Sequence, residues 1–376
     1  MQGYIAQDNE QLAEREFAKQ RIKLESFPQI LIIMATDACN LRCVGCHFGQ
    51  RTAPKLAIRE DGYQRLFDAF TYLKNVMVTG AEMFYDAGNP KGYVQKIFNE
   101  GLKHPNLRFV GNTNGTLISP KRAEMIVDKF EKIGVSIDSP DPNTYRTIRI
   151  GGDLYKVIRN IKKISRLKAQ RGLGRSDFPH IYLNFIIIER TFKSVIEMIH
   201  LANEVGALVV TFQAPWEGTH TNEDIFQDRA KTMEYLSLRK KATVKANDMG
   251  VGIIDRTRNI IKKNMPELEE YLEIPEGVVL NKWPFCCKLP WSELYVSDTG
   301  DVTVCCTSKT VLGNVNQNSI FEIWNSPATL GLRRRILKGN YSRDCLINCC
   351  RGYILSHFDR GRFCKRVITL LSRIKR

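Results

Sequence analysis

Short runs of β-branched and other apolar residues recur along the first half of the chain, and each is followed by a segment whose apolar positions fall at helical spacing. The runs are "QILIIMA" (29–35), "NVMVTG" (75–80), "LRFVGNT" (107–113), "KIGVSID" (132–138), "IYLNFIII" (181–188) and "ALVVTFQ" (207–213). Between them, "EDGYQRLFDAFTYL" places Tyr63, Leu66, Phe67, Phe70 and Leu73 on one stripe, and "SVIEMIHLANEVG" ends at Gly206, a natural helix C-cap. Strands alternating with helices predict a parallel sheet joined by right-handed crossovers. Six such units fall short of the eight of a full barrel of about 250 residues. The expected fold is therefore α/β, a partial (β/α)6 TIM-type barrel over residues 28–215.

After residue 215 the strand–helix rhythm stops, and "WEGTHTNEDIFQD" opens a polar stretch leading into basic helical segments. From Lys282 the pattern changes again. "SELYVSDTGDVTVCC" reads as two strands around a tight turn at Asp298-Thr299-Gly300, followed by "LGNV" and the helical "SIFEIWNSPATLGLRRRIL". The expected division is an N-terminal extension (1–27), the barrel (28–215), a helical connecting region (216–281), a small C-terminal α+β domain with a β-hairpin and helices (282–352), and a tail (353–376). In the tail, Phe363, Val367, Leu370, Leu371 and Ile374 share one helical stripe among Lys and Arg. Such a basic amphipathic segment suits packing on its own domain or contact with an anionic membrane surface or partner.

Composition narrows the picture. At 376 residues and 43% apolar the chain has ample material for a large core. The N-terminus shows no basic region followed by an apolar run, and "ILIIMA" is far too short to span a bilayer, so a soluble, cytoplasmic protein is expected. The formal charge of +16 is uneven: residues 146–175 hold ten Lys or Arg against Asp153, and residues 360–376 hold seven against none. That density attracts anionic partners, and it equally suits helices that expose basic faces to water; no strong nucleic-acid signal accompanies it. Eleven cysteines in a chain without a secretory signal point to metal or redox chemistry rather than a disulfide framework.

Three of those cysteines, Cys39, Cys43 and Cys46, fall within eight residues in "DACNLRCVGCHFG". Four thiolates close a zinc site or an iron–sulfur cluster, so three serve three corners and leave one position open for another ligand. His47 directly follows Cys46 and is poorly placed to turn back on the same metal. Cys39 follows the first predicted strand by a few residues, which puts it at the C-terminal mouth of the barrel, where barrel enzymes keep their sites.

Here the sequence resembles the radical S-adenosylmethionine (SAM) superfamily, whose hallmark is C-x3-C-x2-C on the loop after the first strand of a partial barrel. The resemblance implies that Cys39, Cys43 and Cys46 hold three irons of a [4Fe–4S] cluster whose fourth iron is chelated by the amino and carboxylate groups of SAM. An electron from the cluster, delivered by a reductant such as flavodoxin or ferredoxin, then cleaves SAM to a 5′-deoxyadenosyl radical that abstracts a hydrogen atom from substrate. "TGAEMF" is similar to the family's Gly-Gly-Glu-Pro motif, implying that Gly80, Ala81 and Glu82 meet the SAM ammonium. "NTNGT" and "SIDS" are similar to the ribose- and carboxylate-contacting loops, making Asn114, Ser136 and Asp138 candidates, with Arg149 in "YRTIRIGG" an arginine near SAM. Asn-Gly, Ser and Asp also favour turns and helix caps for local reasons. The chain departs from the family at Gly45, where an aromatic residue is common, and at Ala81 and Met83 of the second motif.

The other cysteines are Cys286, Cys287, Cys305, Cys306, Cys345, Cys349, Cys350 and Cys364. Their layout resembles the SPASM/twitch domain of radical-SAM maturases: Cys287, twelve residues, Gly300, four residues and Cys305 fit C-x(9–15)-G-x4-C, and "CLINCC" follows. The array is shorter than a full SPASM domain, so the resemblance implies one auxiliary [4Fe–4S] cluster on Cys287, Cys305, Cys345 and either Cys349 or Cys350. On a strand neighbouring side chains point to opposite faces, so Cys305 and Cys306 cannot easily share a cluster. The spare cysteines read as ordinary buried thiols, and Cys350 or Cys364 is a candidate hydrogen-atom donor. Zinc and a second auxiliary cluster are the competing readings. The expected substrate is a ribosomal peptide or protein side chain, with a sugar or aminocyclitol as the alternative and a non-catalytic electron carrier as the rival from another class. No leader-binding domain is expected in the residues before the barrel.

Overall fold

The computed structural model describes residues 2–48, 57–85, 92–216, 219, 221–272 and 287–341. Its elements run α1 (Gln2–Ala18), β1 (Ile30–Thr36), α2 (Glu60–Phe67), β2 (Asn75–Gly80), α3 (Tyr93–Leu102), β3 (Arg108–Thr113) and α4 (Pro120–Lys129). There follow β4 (Phe130–Ser136), α5 (Pro142–Ile148), α6 (Leu154–Gln170), β5 (His180–Ile186), α7 (Val195–Val205), β6 (Val209–Gln213), α8 (Arg229–Asp248), β7 (Gly252–Asp255) and α9 (Arg258–Asn264). Last come β8 (Glu293–Val296), β9 (Asp301–Thr303), β10 (Gly313–Asn314), α10 (Ile320–Trp324) and α11 (Pro327–Leu337). These elements fall into two compact units.

The first unit is built on the described residues within 32–57 and 73–273. Its strands β1 to β7 lie side by side in sequence order, and β7 does not return to β1, so the barrel is open. The pairs from β2 to β7 are parallel, with Val76 beside Phe109, Val135 beside Leu183 and Phe185 beside Phe212. On β5 the alternation is strict: Ile181, Leu183 and Phe185 are buried, while His180, Tyr182, Asn184 and Ile186 remain partly accessible. The buried face continues into aromatic packing, with Phe98 of α3 edge-on to Phe109 at 5.0 Å between centroids and Phe109 against Phe130 at 5.6 Å. Burial of side chains of this size stabilises the unit by about 1.5–3 kcal/mol each.

The six expected strand–helix units are all present, and a seventh parallel strand continues the rhythm past residue 215, where the hydrophobic pattern predicted a helical connection. The physical reason is length. β7 is only four residues, and α8 spreads its basic residues around the helix rather than along one face.

The second unit groups residues 4–31 and 58–72 with the described residues from Cys287 onward. The segment expected as an N-terminal extension is thus structural here. Trp291 Nε1 donates to the Arg21 carbonyl at 2.7 Å, and Trp324 Nε1 donates to the Ser26 carbonyl at 2.7 Å. The buried Glu16 carboxylate accepts from Glu25 N, Ser26 N and Ser26 Oγ at 2.8, 3.1 and 2.6 Å. The expected hairpin forms from β8 and β9, with Val296 beside Val302, and β10 adds a third antiparallel strand. The C-terminal helical stretch splits in two. A Ser319–Glu322 capping box starts α10, and Ser326 with Pro327 at the first position starts α11. Among the described residues no helix is long and apolar enough to cross a membrane.

Candidate functional site

In parallel strands every C-terminal end faces the same way, so the loops after β1, β2, β3 and β4 converge at one mouth of the barrel. They carry Cys39–Cys46, Gly80–Glu82, Asn114 and Asp138 respectively.

The cysteine loop is pinned from three sides. On one side Ala81 N donates to the Thr36 carbonyl at 2.9 Å and Glu82 N to the Ala38 carbonyl at 3.1 Å. This approach requires Gly80: its φ is +123°, and a Cβ would lie 1.9 Å from the Thr36 oxygen. On the second side Asn40 Nδ2 donates to Thr116 Oγ1 at 3.0 Å, and Asn114 Nδ2 donates to Asn40 Oδ1 at 2.9 Å. On the third side Arg42 N and Val44 N donate to the carbonyls of Ile150 and Ile148 at 3.0 and 2.9 Å. Within the loop Gly45 takes φ +71°, and Cys46 N closes a turn onto the Cys43 carbonyl at 3.2 Å. A bulky side chain is disfavoured in that left-handed conformation, which accounts for glycine where the family often has an aromatic residue.

All three cysteines are half-buried, and none of them is in a disulfide. Burial pushes the Cys39 thiol up, opposed by the Leu41 N–H that donates to its sulfur at 3.3 Å and reinforced by the charge of Glu82. Cys43 is pushed up to about 11, by burial first, with Arg149 opposing. The three sulfurs act on one another electrostatically. A tetrahedral zinc ion would need sulfurs about 3.8 Å apart, and among the described residues no three His, Cys, Asp or Glu side chains stand in an arrangement that could hold a single ion. Three thiol donors on a pinned loop fit three corners of an iron–sulfur cluster and leave the fourth open.

Glu82 is turned inward rather than toward open space. The residue is 1% exposed, and its carboxylate accepts from Thr113 Oγ1 at 2.6 Å, Asn114 N at 2.6 Å and Phe84 N at 3.2 Å. Burial raises its proton affinity, and those three donors and Arg149 work against that shift. The Asn114 amide is likewise committed: its oxygen accepts from Thr116 N and Oγ1 at 2.9 and 2.6 Å, and its nitrogen also reaches Cys39 Sγ at 3.8 Å. Arg149 Nε donates to Asp138 Oδ2 at 2.6 Å. Burial works against the guanidinium's charge, but Asp138 and Cys43 more than offset it and hold the proton firmly. Ser136 stands half-buried at the end of β4.

The structure therefore brings together Cys39, Cys43, Cys46, Gly80, Ala81, Glu82, Asn114, Asp138 and Arg149 at one mouth. Asn40, Thr113 and Thr116 belong to the same network, Tyr145 lies within electrostatic reach of Arg149, Asp138 and Cys43, and none of the four was singled out by sequence pattern. The available signal for Tyr145 was its place one helical turn before Arg149.

In the second unit, Cys287 and Cys305 are half-buried, Cys306 is exposed, and none is in a disulfide. Cys305 and Cys306 lie in the turn after β9 rather than on a strand, so alternation of strand faces does not separate them; their unequal exposure does. Thr303 Oγ1 donates to the Cys305 carbonyl at 2.8 Å, and Cys305 Sγ is 3.4 Å from Thr307 Oγ1. Cys345, Cys349, Cys350, Cys364 and the basic tail lie outside the described residues.

Comparison with known proteins matches two family models: "Radical SAM superfamily" over residues 33–202 and "Iron-sulfur cluster-binding domain" (SPASM) over residues 286–351. A curated relative, the probable GTP 3′,8-cyclase of Methanococcus vannielii, is 27% identical over 177 residues, 46% of this chain and 54% of that one. The chain thus spans about half the length of the curated relatives it matches. Among solved structures, Streptococcus suis SuiB bound to precursor peptide SuiA is similar at TM-score 0.56 and 15% identity, over 87% of this chain and 71% of that one. Native anSMEcpe with bound AdoMet is similar at TM-score 0.55 and 15% identity, over 85% and 86%. An open parallel barrel with three cysteines after its first strand, followed by a cysteine-bearing hairpin unit, has its counterpart in both matched families: the chain belongs to the radical SAM superfamily and carries a SPASM-type iron–sulfur domain.

Proposed function

We propose that the chain is a radical SAM enzyme in which Cys39, Cys43 and Cys46 hold a [4Fe–4S] cluster with one iron open to SAM. The observation that carries this is the pinned cysteine loop at the strand ends, beside a guanidinium fixed by Asp138. When bound, cluster and SAM supply a 5′-deoxyadenosyl radical that removes a hydrogen atom from a substrate C–H bond.

This chain's residues do the positioning. Arg149, held at Nε by Asp138, presents its two Nη groups as a fork suited to the SAM carboxylate. Gly80 and Ala81 offer backbone carbonyls to the ammonium, while Glu82 sets the turn from behind and adds negative charge. Asn114 fixes the loop geometry beside Cys39, and Ser136 offers a hydroxyl to the ribose. In the second unit Cys287 and Cys305, with Cys345 and Cys349 or Cys350, hold one auxiliary cluster; Cys350 or Cys364 is the candidate hydrogen donor. A flavodoxin or ferredoxin supplies the electron.

The leading substrate class is a peptide or protein side chain. The peptide-bound state of SuiB supports it, since that fold spans most of this chain. The test is isotopic. The anaerobically reconstituted protein is incubated with SAM and, separately, with a uniformly deuterated peptide pool, deuterated nucleotide sugars and deuterated GTP. Deuterium in 5′-deoxyadenosine from the peptide pool is expected; label arriving only from the sugars or from GTP overturns the substrate class.

A further inference from the structure

The side chain of Tyr145 is fully buried, yet its hydroxyl makes no hydrogen bond. Buried hydroxyls are nearly always paired, because a donor taken out of water without a partner costs the fold its full desolvation penalty. A phenol kept there without a protein partner therefore points to an acceptor supplied by what the site binds.

The surroundings identify the acceptor. Tyr145 lies on α5, which begins at Pro142 under an Asp141 cap and ends where Arg149 N returns to the Tyr145 carbonyl at 2.8 Å. The last residue of the same helix, Ile148, and Ile150 just beyond it supply the carbonyls that fix Val44 and Arg42, so the end of α5 is docked on the backbone at either side of Cys43. The charged and titratable groups within electrostatic reach of the phenol are Arg149, Asp138, Cys43 and Asp153. Arg149 has no acceptor atom, and the Asp138 carboxylate, which accepts from Arg149 at Oδ2, takes nothing from the phenol. Asp153 caps the next helix through the Lys156 N–H at 3.1 Å. Cys43 remains. As a neutral thiol it is a weak acceptor; as an iron-ligating thiolate it is a strong one.

We propose that Tyr145 donates a hydrogen bond to the Cys43 thiolate of the iron–sulfur cluster and thereby makes the cluster easier to reduce. This rests on the reading of Cys43 as a cluster ligand. Tyr145 is a positioning residue, acting through Cys43 rather than on SAM or substrate. The effect follows from charge: a donor to a ligand sulfur stabilises the reduced, more negative cluster, and hydrogen bonds to sulfur are among the factors that set such potentials.

The experiment uses the full chain, anaerobically reconstituted, and Tyr145→Phe, which removes only the hydroxyl. Without the cluster that hydroxyl is unpaired, so before reconstitution the variant should unfold at the same temperature as wild type or higher. Iron per chain should be unchanged. An EPR-monitored redox titration, following the signal that added SAM perturbs, separates this cluster from the auxiliary one. The reduced-to-oxidised ratio at fixed potential should fall about three- to tenfold in Tyr145→Phe, tenfold being about 59 mV for a one-electron couple. 4-Aminophenylalanine at position 145, which keeps a donor, should restore it. A cluster-replete Tyr145→Phe whose ratio stays within about twofold of wild type overturns the proposal. If instead Cys43→Ala keeps the SAM-perturbed signal, the ligand reading itself has failed, and the two failures are thereby told apart.

Discussion

Cys43→Ala is expected to lose about four irons per chain, the complement of one cubane cluster, and all reductive cleavage of SAM. The loss should be complete rather than graded, because two thiolates and an open corner do not hold a cluster that must also bind SAM. Cys43 also feels the charged pair of the site, with Arg149 opposing and Asp138 reinforcing its shifted proton affinity. The fold should survive. The loop is held by backbone bonds of Arg42, Val44 and Cys46, none of which passes through the Cys43 side chain. Truncating a half-buried thiol to a methyl removes little packing, so a cost of about 1 kcal/mol is expected in chemical denaturation. Iron analysis, SAM cleavage and denaturation on one preparation check the set; 5′-deoxyadenosine from an otherwise folded Cys43→Ala would remove Cys43 from the cluster.

Glu82→Ala should be costly in a different way. It deprives Thr113 Oγ1, Asn114 N and Phe84 N of their common acceptor at a buried position. Buried donors left unpaired cost about 1–3 kcal/mol each. Removing a buried carboxylate recovers part of that, since burial already disfavours its charge. A net loss of roughly 3–4 kcal/mol is expected, a large share of a typical total of 5–15. Glu82→Gln is no rescue. One carboxylate oxygen becomes an amide nitrogen, so either the Asn114 or the Phe84 backbone N–H meets a donor. In both variants the loop after β3 is released, and with it the Asn114 amide that steadies Asn40 and Cys39. SAM affinity should therefore fall at least about tenfold even where iron is retained, about 1.4 kcal/mol of binding. Urea denaturation and SAM titration of the reduced cluster's EPR signal measure the two effects. Wild-type stability in Glu82→Ala would mean that the carboxylate does not organise these loops.

The features legible in sequence are those set by local periodicity and spacing. Six strands announced themselves because each carries a run of apolar residues long enough to be read, and the C-x3-C-x2-C spacing placed the cysteine loop on the correct end of β1. β7 was missed because four residues headed by Gly252 carry almost no pattern; its pairing with β6 makes it a strand. The motif containing Glu82 was found, but its direction was not. Whether a carboxylate faces a ligand or its own loop is decided by Thr113 and Asn114, more than thirty positions away. Cys305 and Cys306 were placed on a strand because β9 was expected to run through them; it ends at Thr303. Residues 4–31 looked like an appendage because their partners, Trp291 and Trp324, are about 270 and 300 positions distant.

The central claim is that the cysteine loop holds a cluster with one iron reserved for SAM. It is tested most directly by reducing the anaerobically reconstituted protein, adding SAM and quantifying 5′-deoxyadenosine against iron per chain. The expected result is 5′-deoxyadenosine formation by protein holding about eight irons, one SAM-binding and one auxiliary cluster. A cluster-replete, reduced protein that binds no SAM and forms no 5′-deoxyadenosine would contradict it.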